Sequence, residues 1–350
     1  MYDWVRVLNT ECNIVYVNKA MAEYLEGPVI GKKYYEAFNK SEPCENCVSR
    51  KSLADGGTYE KEEVIGDRYF SVMSSPVKDS SGQIIGIVEV FRDITKLKHL
   101  QKKIMEQNDE MQDDLDMARR LQLSMLPSKL PERNLKISFI YKPSKMLGGD
   151  FIDVFEIDRD HWGMYIADVS GHGVLASLFT VFLRSTIDKN ILSPAETLTK
   201  LYKEFNKIGF DTDLYITVFY SVININTMEL TFSNAGHNVC PVIFGNSGFK
   251  ILRKPGIPIS NWMDNPGYTD SRVCLNKGDR VFYSSDGIVE IKNSLKQQFG
   301  EERLLDILLS EKSEPCKILE NIVARAFNFA GIKSTDELED DITMALLEII

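Results

Sequence analysis

The chain has 350 residues, of which 43% are hydrophobic, and a formal net charge of −10; that length suits two domains of about 100–200 residues each. The acidic balance argues against nucleic acid and against an anionic membrane surface, whose phosphates would repel it. No stretch approaches the roughly 20 apolar residues of a membrane span, Met1-Tyr2-Asp3-Trp4 lacks a signal-peptide pattern, and six scattered cysteines are not a disulfide scaffold, so a cytoplasmic protein with reduced thiols is expected.

Residues 1–95 read as a first unit. Asn13-Ile14-Val15-Tyr16-Val17-Asn18 is a short apolar strand, and Ala20-Met21-Ala22-Glu23-Tyr24-Leu25 follows at helical spacing. Asp67–Ser74 and Ile84–Arg92 read as antiparallel strands, joined by the turn Lys78-Asp79-Ser80-Ser81-Gly82. The succession of strand, helix, Gly31 turn, late strands and a closing Asp93-Ile94-Thr95 resembles a PAS sensor domain. The resemblance implies a five-stranded antiparallel sheet cupping a small pocket, for a ligand the sequence does not name. Within this unit Cys44 and Cys47 stand in Pro43-Cys44-Glu45-Asn46-Cys47, with metal or redox spacing. A lone Cys-x₂-Cys supplies only two metal ligands, and Cys12 is the unit's other thiol, so two unremarkable loop thiols and a redox- or metal-responsive pair both remain open.

Residues 96–125 contain neither Pro nor Gly and predict a long helix. Leu97, Leu100, Ile104, Met111, Leu115, Ala118 and Leu121 recur at steps of mostly three and four, with Asn108 in the seam. Two successive steps of four form a stutter, which locally unwinds a supercoil. A seam this regular predicts a parallel two-stranded coiled coil and hence a homodimer; the alternative is a single solvated helix.

From Leu135 strands resume: Leu135, Ile137, Phe139 and Tyr141 share one face, and Leu214, Ile216, Val218 and Tyr220 another. Residues 214–224 and 228–234 predict a hairpin around Asn226-Thr227, and helices are expected near 173–189, 195–208, 301–310 and 315–330. Four elements then recur in order: Gly148-Gly149-Asp150-Phe151, Asp168-Val169-Ser170-Gly171-His172-Gly173, Ser285-Asp286-Gly287 and Asp340-Asp341-Ile342-Thr343. Each sets an aspartate beside a glycine or a second aspartate at a predicted strand end. One Asp-Gly pair would be a turn; four acidic strand ends that converge would suit hard divalent cations such as Mg²⁺ or Mn²⁺. Such sites activate water for in-line attack on phosphorus. Neither a Gly-x-Ser-x-Gly nor a Cys-x₅-Arg loop occurs, which agrees with direct attack by water.

Ala118-Arg119-Arg120-Leu121-Gln122, Met125-Leu126-Pro127, the Gly-Gly-Asp element, Ile166–Val174, Asn234-Ala235-Gly236-His237 and Asp340–Thr343 together resemble the SpoIIE/RsbU branch of the metal-dependent, PPM-type serine/threonine phosphatases. The resemblance spans residues 118–350 and implies an α+β fold: an α-β-β-α sandwich of two antiparallel sheets over 126–350, after the PAS domain and the helical linker. It implies two metal ions bridged by Asp168, with the Val169 carbonyl facing one and Asp286 and Asp340 completing the other. Asp153 is the favoured further ligand, with Asp150, Asp341 and Gly287 in or just behind the ligand set. His172 and His237 either brace loops or donate a proton to the leaving serine oxygen, His172 being the better candidate. The family's phosphate-holding arginine has no match upstream of Gly148, where Lys142 and Lys145 stand instead. The implied substrate is a phosphoserine or phosphothreonine on a partner protein, expected to be an anti-sigma-factor antagonist of the STAS type. A binding-only descendant would not need all four acidic elements. A histidine kinase would need an ATP lid, which the sequence lacks, beside its single linker histidine, His99.

Overall fold

The computed structural model describes residues 3–25, 27–131, 133–171, 173–209, 214–246 and 248–350. The chain divides into two compact units, Met1–Gln112 and Asp113–Ile350.

In the first unit the strands are β1 (Trp4–Asn9), β2 (Ile14–Val17), β3 (Tyr59–Ile65), β4 (Arg68–Lys78) and β5 (Ile84–Asp93), and the helices are α1 (Lys19–Tyr24) and α2 (Val48–Asp55). They form one antiparallel sheet in the order β2-β1-β5-β4-β3, as the PAS resemblance implies. Asn18 starts α1, its Oδ1 accepting from Met21 N at 3.1 Å, which satisfies one of the free N–H groups of a first turn. β1, β3 and α2 were not among the expected elements. β3 reads Tyr-Glu-Lys-Glu-Glu-Val-Ile and is half-exposed along most of its length, so it carries charge where an alternating apolar face was sought.

The core of this unit surrounds an ion pair. Arg6 and Glu89 are register partners on β1 and β5, and both are buried. Arg6 Nε donates to Glu89 Oε2, and Ser49 Oγ donates to Glu89 Oε1. An Arg6 terminal amine donates to the Tyr34 carbonyl at 2.9 Å. The guanidinium lies over the Phe91 and Phe38 rings at 4.9 and 5.3 Å. Two charges removed from water are tolerated only when each is paired and hydrogen-bonded, and both conditions are met.

Helix α3 (Thr95–Ser124) follows without a break. Its start is fixed by the Asp93-Ile94-Thr95 exit: Asp93 Oδ1 accepts from Thr95 N, Thr95 Oγ1 accepts from Tyr69 N, and Ile94 N donates to Tyr69 O. Leu97, Leu100, Ile104, Met111 and Leu121 of the expected seam are all exposed in the single chain.

The second unit comprises β6 (Leu135–Lys142), β7 (Asp150–Glu156), β8 (His161–Val169), α4 (Val174–Thr186), α5 (Pro194–Ile208), β9 (Ile216–Asn224), β10 (Glu229–Ala235), β11 (Val242–Gly245), β12 (Gly248–Ile251), β13 (Ser271–Cys274), β14 (Arg280–Ser284), α6 (Gly287–Glu290), α7 (Gly300–Ser310), α8 (Pro315–Ala330) and β15 (Ile342–Ile349). Two five-stranded sheets result, ordered β13-β10-β9-β8-β7 and β12-β11-β14-β15-β6. One apolar cluster joins them, from Ile152, Ile166 and Phe219 of the first to Ile137, Tyr283 and Leu347 of the second. A second cluster sets α7 and α8 against the β14–β15 sheet, and a third sets α4 and α5 against β7–β9. Because β9 is therefore covered on both faces, it is buried at every position but the last, where one buried face was expected.

Replacing Arg6 with Met leaves the Glu89 carboxylate buried and unpaired, which should cost about 3–5 kcal/mol. The double variant Arg6→Met/Glu89→Leu should recover most of it. Urea unfolding of the full chain, followed by Trp4 fluorescence, checks both; an equal loss in the double variant would show that the pair is not what holds this core.

Candidate active site

The acidic elements meet where the two sheets of the second unit end. Asp150 and Asp168 are direct register partners at the β7 and β8 ends. Asp286 stands two residues beyond β14, as the N-cap of α6, and Asp340-Asp341 immediately precede β15. Ser285 ties these last two together, its N–H donating to the Thr343 carbonyl at 2.9 Å and its Oγ accepting from Thr343 N at 3.1 Å.

Burial, then the charges of Asp168 and Asp341, push the Asp150 carboxyl well above its usual range. Asp168 is pushed up to about 7 by burial and then by Asp286, Asp340 and Asp341. Asp286 and Asp340 are raised by burial and share a further acidic neighbour, Glu290. Glu290 was not singled out from sequence, although its place four residues after Asp286 puts both on one side of a helical turn. Asp340, Gly287 and Glu290 also line an open depression of about 330 Å³.

The structure separates the two aspartates of the Gly-Gly-Asp element, and Asp153, the expected further ligand, is paired with a lysine. Asp153 Oδ2 accepts from Lys189 Nζ at 2.7 Å, and the Lys189 ammonium also lies 4.3 Å from the Phe155 ring centre. In a strand, residues three apart face opposite sides, so with Asp150 turned toward Asp168, Asp153 faces the α4–α5 side, where its charge reaches Tyr165 and Tyr220.

Asp341 has a different task. Its Oδ1 accepts from the Ser144 N–H at 2.7 Å and from Ser144 Oγ at 2.9 Å, and its Oδ2 accepts from Gly149 N at 2.6 Å. It therefore holds the loop that delivers Asp150. Glycine is needed on both sides of this approach: a Cβ on Gly287 would stand 1.9 Å from the Asp341 carbonyl oxygen, and one on Gly148 would stand 2.8 Å from Asp341 Oδ2. The Val169 carbonyl faces Gly149, 3.0 Å from where a Cβ would stand.

His172 lies outside the described residues. His237 is buried, its Nε2 donating to the Ser284 carbonyl at 2.9 Å and its Nδ1 lying 3.2 Å from Thr217 Oγ1. Burial lowers it to about 4 against the Ser284 hydrogen bond, so it is a neutral brace between β9 and β14. Gln122, the buried residue of α3, clamps Gly148 from both sides: its Nε2 donates to Gly148 O at 2.8 Å, and its Oε1 accepts from Gly148 N at 3.2 Å. It closes the Ala118–Gln122 motif, but nothing in the sequence marks it as the buried polar residue of the helix.

Among the described residues, no ion pair reaches Asp150, Asp168, Asp286 or Asp340, and no three His, Cys, Asp or Glu side chains converge on one metal-sized point. The donor set nevertheless fits hard cations: carboxylates that repel one another, a buried Asp150 Oδ2 without a partner, and a glycine cradle that admits backbone.

The fold is that of the PP2C-type serine/threonine protein phosphatases. It matches the SiaA-PP2C domain of Pseudomonas aeruginosa with a TM-score of 0.61 at 22% identity, over 69% of this chain and 98% of that one. It matches the phosphatase domain and regulatory fragment of SpoIIE from Bacillus subtilis with a TM-score of 0.52 at 13% identity, over 85% and 71%. At such identities the likeness speaks for fold alone. Residues 158–350, more than half the chain, match the Stage II sporulation protein E (SpoIIE) family, and the chain belongs to that family; residues 1–99 match the PAS fold. The chain is 26% identical over 240 residues to Protein IcfG of Synechocystis sp., covering 60% of this chain and 38% of IcfG. It is 26% identical over 245 residues to phosphoserine phosphatase RsbU of Bacillus subtilis, covering 68% and 70%. The chain thus spans well under half of one of these relatives and about two thirds of the other.

Removing the Gln122 clamp should loosen the loop that carries Asp150. Gln122→Ala leaves the buried Gly148 N–H and C=O unpaired and should cost about 1–3 kcal/mol, read by urea unfolding. Stability equal to the unaltered protein would show that water or a neighbour takes its place.

Proposed function

We propose that the chain is a metal-dependent protein serine/threonine phosphatase governed by its PAS unit. The observation that carries this reading is the meeting of Asp150, Asp168, Asp286 and Asp340 at one end of a PP2C-type fold. Asp168 would hold two divalent cations, Mn²⁺ or Mg²⁺, with the Val169 carbonyl and Asp150 on one side and Asp286 and Asp340 on the other. When bound, such ions supply positive charge to phosphoryl oxygens and acidity to water. The chain's own residues supply the rest. Asp341 and Gln122 hold the Gly148-Gly149 backbone in place, Gly287 lets α6 close on Asp341, and His237 fixes the β14 end as a neutral hydrogen-bond donor. His172 is the proposed proton donor to the leaving serine oxygen.

The proposed substrate is a phosphoserine or phosphothreonine on a partner protein, an anti-sigma-factor antagonist of the STAS type. Its support is the family membership and a relative named as a phosphoserine phosphatase. The proposed organisation is a PAS domain over 1–95, a coiled-coil linker over 96–125 and an α-β-β-α sandwich over 126–350. The exposed seam of α3 is the support for a homodimer. The proposed location is the cytoplasm; no helix of the described residues is long and apolar enough to cross a membrane.

The purified chain should release phosphate from a phosphoserine protein with Mn²⁺ or Mg²⁺ and not in excess EDTA. Asp168→Asn and Asp286→Asn should each lower turnover more than about 100-fold, and Asp341→Asn about 10–100-fold, with unfolding curves confirming intact folds. Turnover that survives EDTA and both ligand substitutions would sink the reading.

Burying charge in the seam tests the dimer. Ile104→Asp/Leu115→Asp should halve the mass measured by light scattering and free phosphatase activity from control by the PAS unit. An unchanged mass with normally regulated turnover would make α3 a spacer.

A further inference from the structure

The PAS unit holds a second cluster of reactive groups. Cys44 and Cys47 line a cavity of about 20 Å³ together with Tyr34, Lys61, Arg6 and Glu89. That is room for about one water-sized molecule. The rest of the cup is filled: Met21, Phe70, Ile87 and Phe91 are all essentially inaccessible to solvent. A flavin, a haem or a carboxylic acid metabolite does not fit such a space. A metal would find only the two thiols free to ligate it, because the cavity's carboxylates, Glu63 and Glu89, are paired with Lys61 and Arg6. What remains is chemistry on the side chains themselves, with a reagent about the size of water.

Both sulfurs are surrounded by donors. Tyr34 Oη lies 3.7 Å from Cys44 Sγ, and Lys61 Nζ donates to Cys44 Sγ at 3.5 Å. Cys47 is the N-cap residue of α2, without a side-chain capping bond, and Tyr34, the Arg50 backbone, Ser49 and Cys44 are the groups that act on its thiol. Burial alone would raise the Cys47 thiol, yet Tyr34, Arg50, Ser49 and Cys44 around it outweigh burial and hold the thiol below its usual value. Burial and the same two sulfurs raise the Tyr34 phenol, so it stays an O–H donor. Donors of this kind favour the thiolate, the nucleophilic form. The pair also differs in access, with Cys47 buried and Cys44 half-buried.

We propose that Cys44 and Cys47 are a redox-active dithiol that a small hydroperoxide converts to a disulfide. The Cys47 thiolate attacks one oxygen of hydrogen peroxide and the O–O bond breaks. Sulfenic acid forms on Cys47, and the departing hydroxide takes up the proton that the thiol had released, giving water. The Cys44 sulfur then attacks the Cys47 sulfur, the S–S bond forms and the S–O bond breaks. The oxygen leaves as a second water with the Cys44 proton, and two electrons have passed from the sulfurs to peroxide. Oxidation removes the sulfur partners of the Tyr34 hydroxyl. Tyr34 in turn holds Arg6 through its carbonyl, and Arg6 is paired with Glu89 on β5, the strand that runs into α3. This places the thiol chemistry three hydrogen-bonded steps from the strand that leaves the unit.

Trypsin should release Ser41–Arg50 with both cysteines in one fragment, so mass spectrometry of the full chain reads the reaction directly. With limiting hydrogen peroxide this fragment should lose two hydrogen atoms at least about tenfold faster than the exposed Cys274 and Cys316 become oxidised. Dithiothreitol should restore it. Cys44→Ser should leave Cys47 as sulfenic acid, trapped by dimedone, and Cys47→Ser should slow peroxide consumption to the rate of the exposed thiols. If Cys44 and Cys47 remain open to alkylation while Cys274 and Cys316 are oxidised, the proposal fails. It fails equally if the purified chain carries zinc that shields both thiols, which would make the pair a metal site.

Discussion

The second unit depends on one carboxylate that ties two of its chain segments together. Asp341 gathers the N–H groups of Ser144 and Gly149 and the hydroxyl of Ser144, joining the loop before β7 to the start of β15. These are charge-assisted hydrogen bonds in a buried setting, the strong kind. Their geometric consequence is that Asp150 is presented beside Asp168, although burial and mutual charge would drive the two carboxylates apart. The glycines follow from the same constraint, because Gly148 and Gly287 each approach Asp341 more closely than any Cβ would allow.

The two units handle buried charge in opposite ways. In the PAS unit Glu89 is matched inside the chain by Arg6, Ser49 and the surrounding rings, which makes a rigid, self-contained core. In the second unit Asp153 is neutralised in the same manner by Lys189. The four site aspartates are left with one another and with Glu290. Unmatched negative charge costs stability, and a protein tolerates it where function requires it. That contrast separates the structural aspartate from those of the site better than position in the chain does.

Much of this was legible in the sequence. The helices at 194–208 and 315–330 announce themselves by apolar spacing and by proline at the first turn. The hairpin of β9 and β10 and the Asp93-Ile94-Thr95 exit are equally plain. The four acidic elements could be read as one site because each abuts an apolar strand. Strand parity shows that Asp150 and Asp153 cannot share a face, but only the pairing with Asp168 and the reach of Lys189 show which faces the site. β3 escaped notice because its half-exposed surface is charged, and the burial of both faces of β9 depends on a second sheet that no local pattern encodes. Gln122 is the extreme case. It belongs to the motif at 118–122, but what it holds is hidden until Gly148 is placed opposite it.

That last residue bears on how a sensor unit and a phosphatase unit could be linked. α3 has 30 residues, about 45 Å at 1.5 Å per residue. Its first turn is tied to β4 through Tyr69, and its last turn is tied to Gly148 through Gln122. A helix resists stretching, so on the proposed reading what it transmits is rotation or a shift of register. Either would act first on the Gln122 side chain, and through it on the Gly148 carbonyl and N–H. The Gly148-Gly149 backbone is also held by Asp341, so the loop has two anchors, one on the helix and one at the start of β15. The placement held by these two anchors keeps Asp150 opposite Asp168 and so assembles the acidic site. Control would then reside in a hydrogen-bonded glycine rather than in the carboxylates, which lets the family's chemistry stay fixed while the sensor that drives the helix changes.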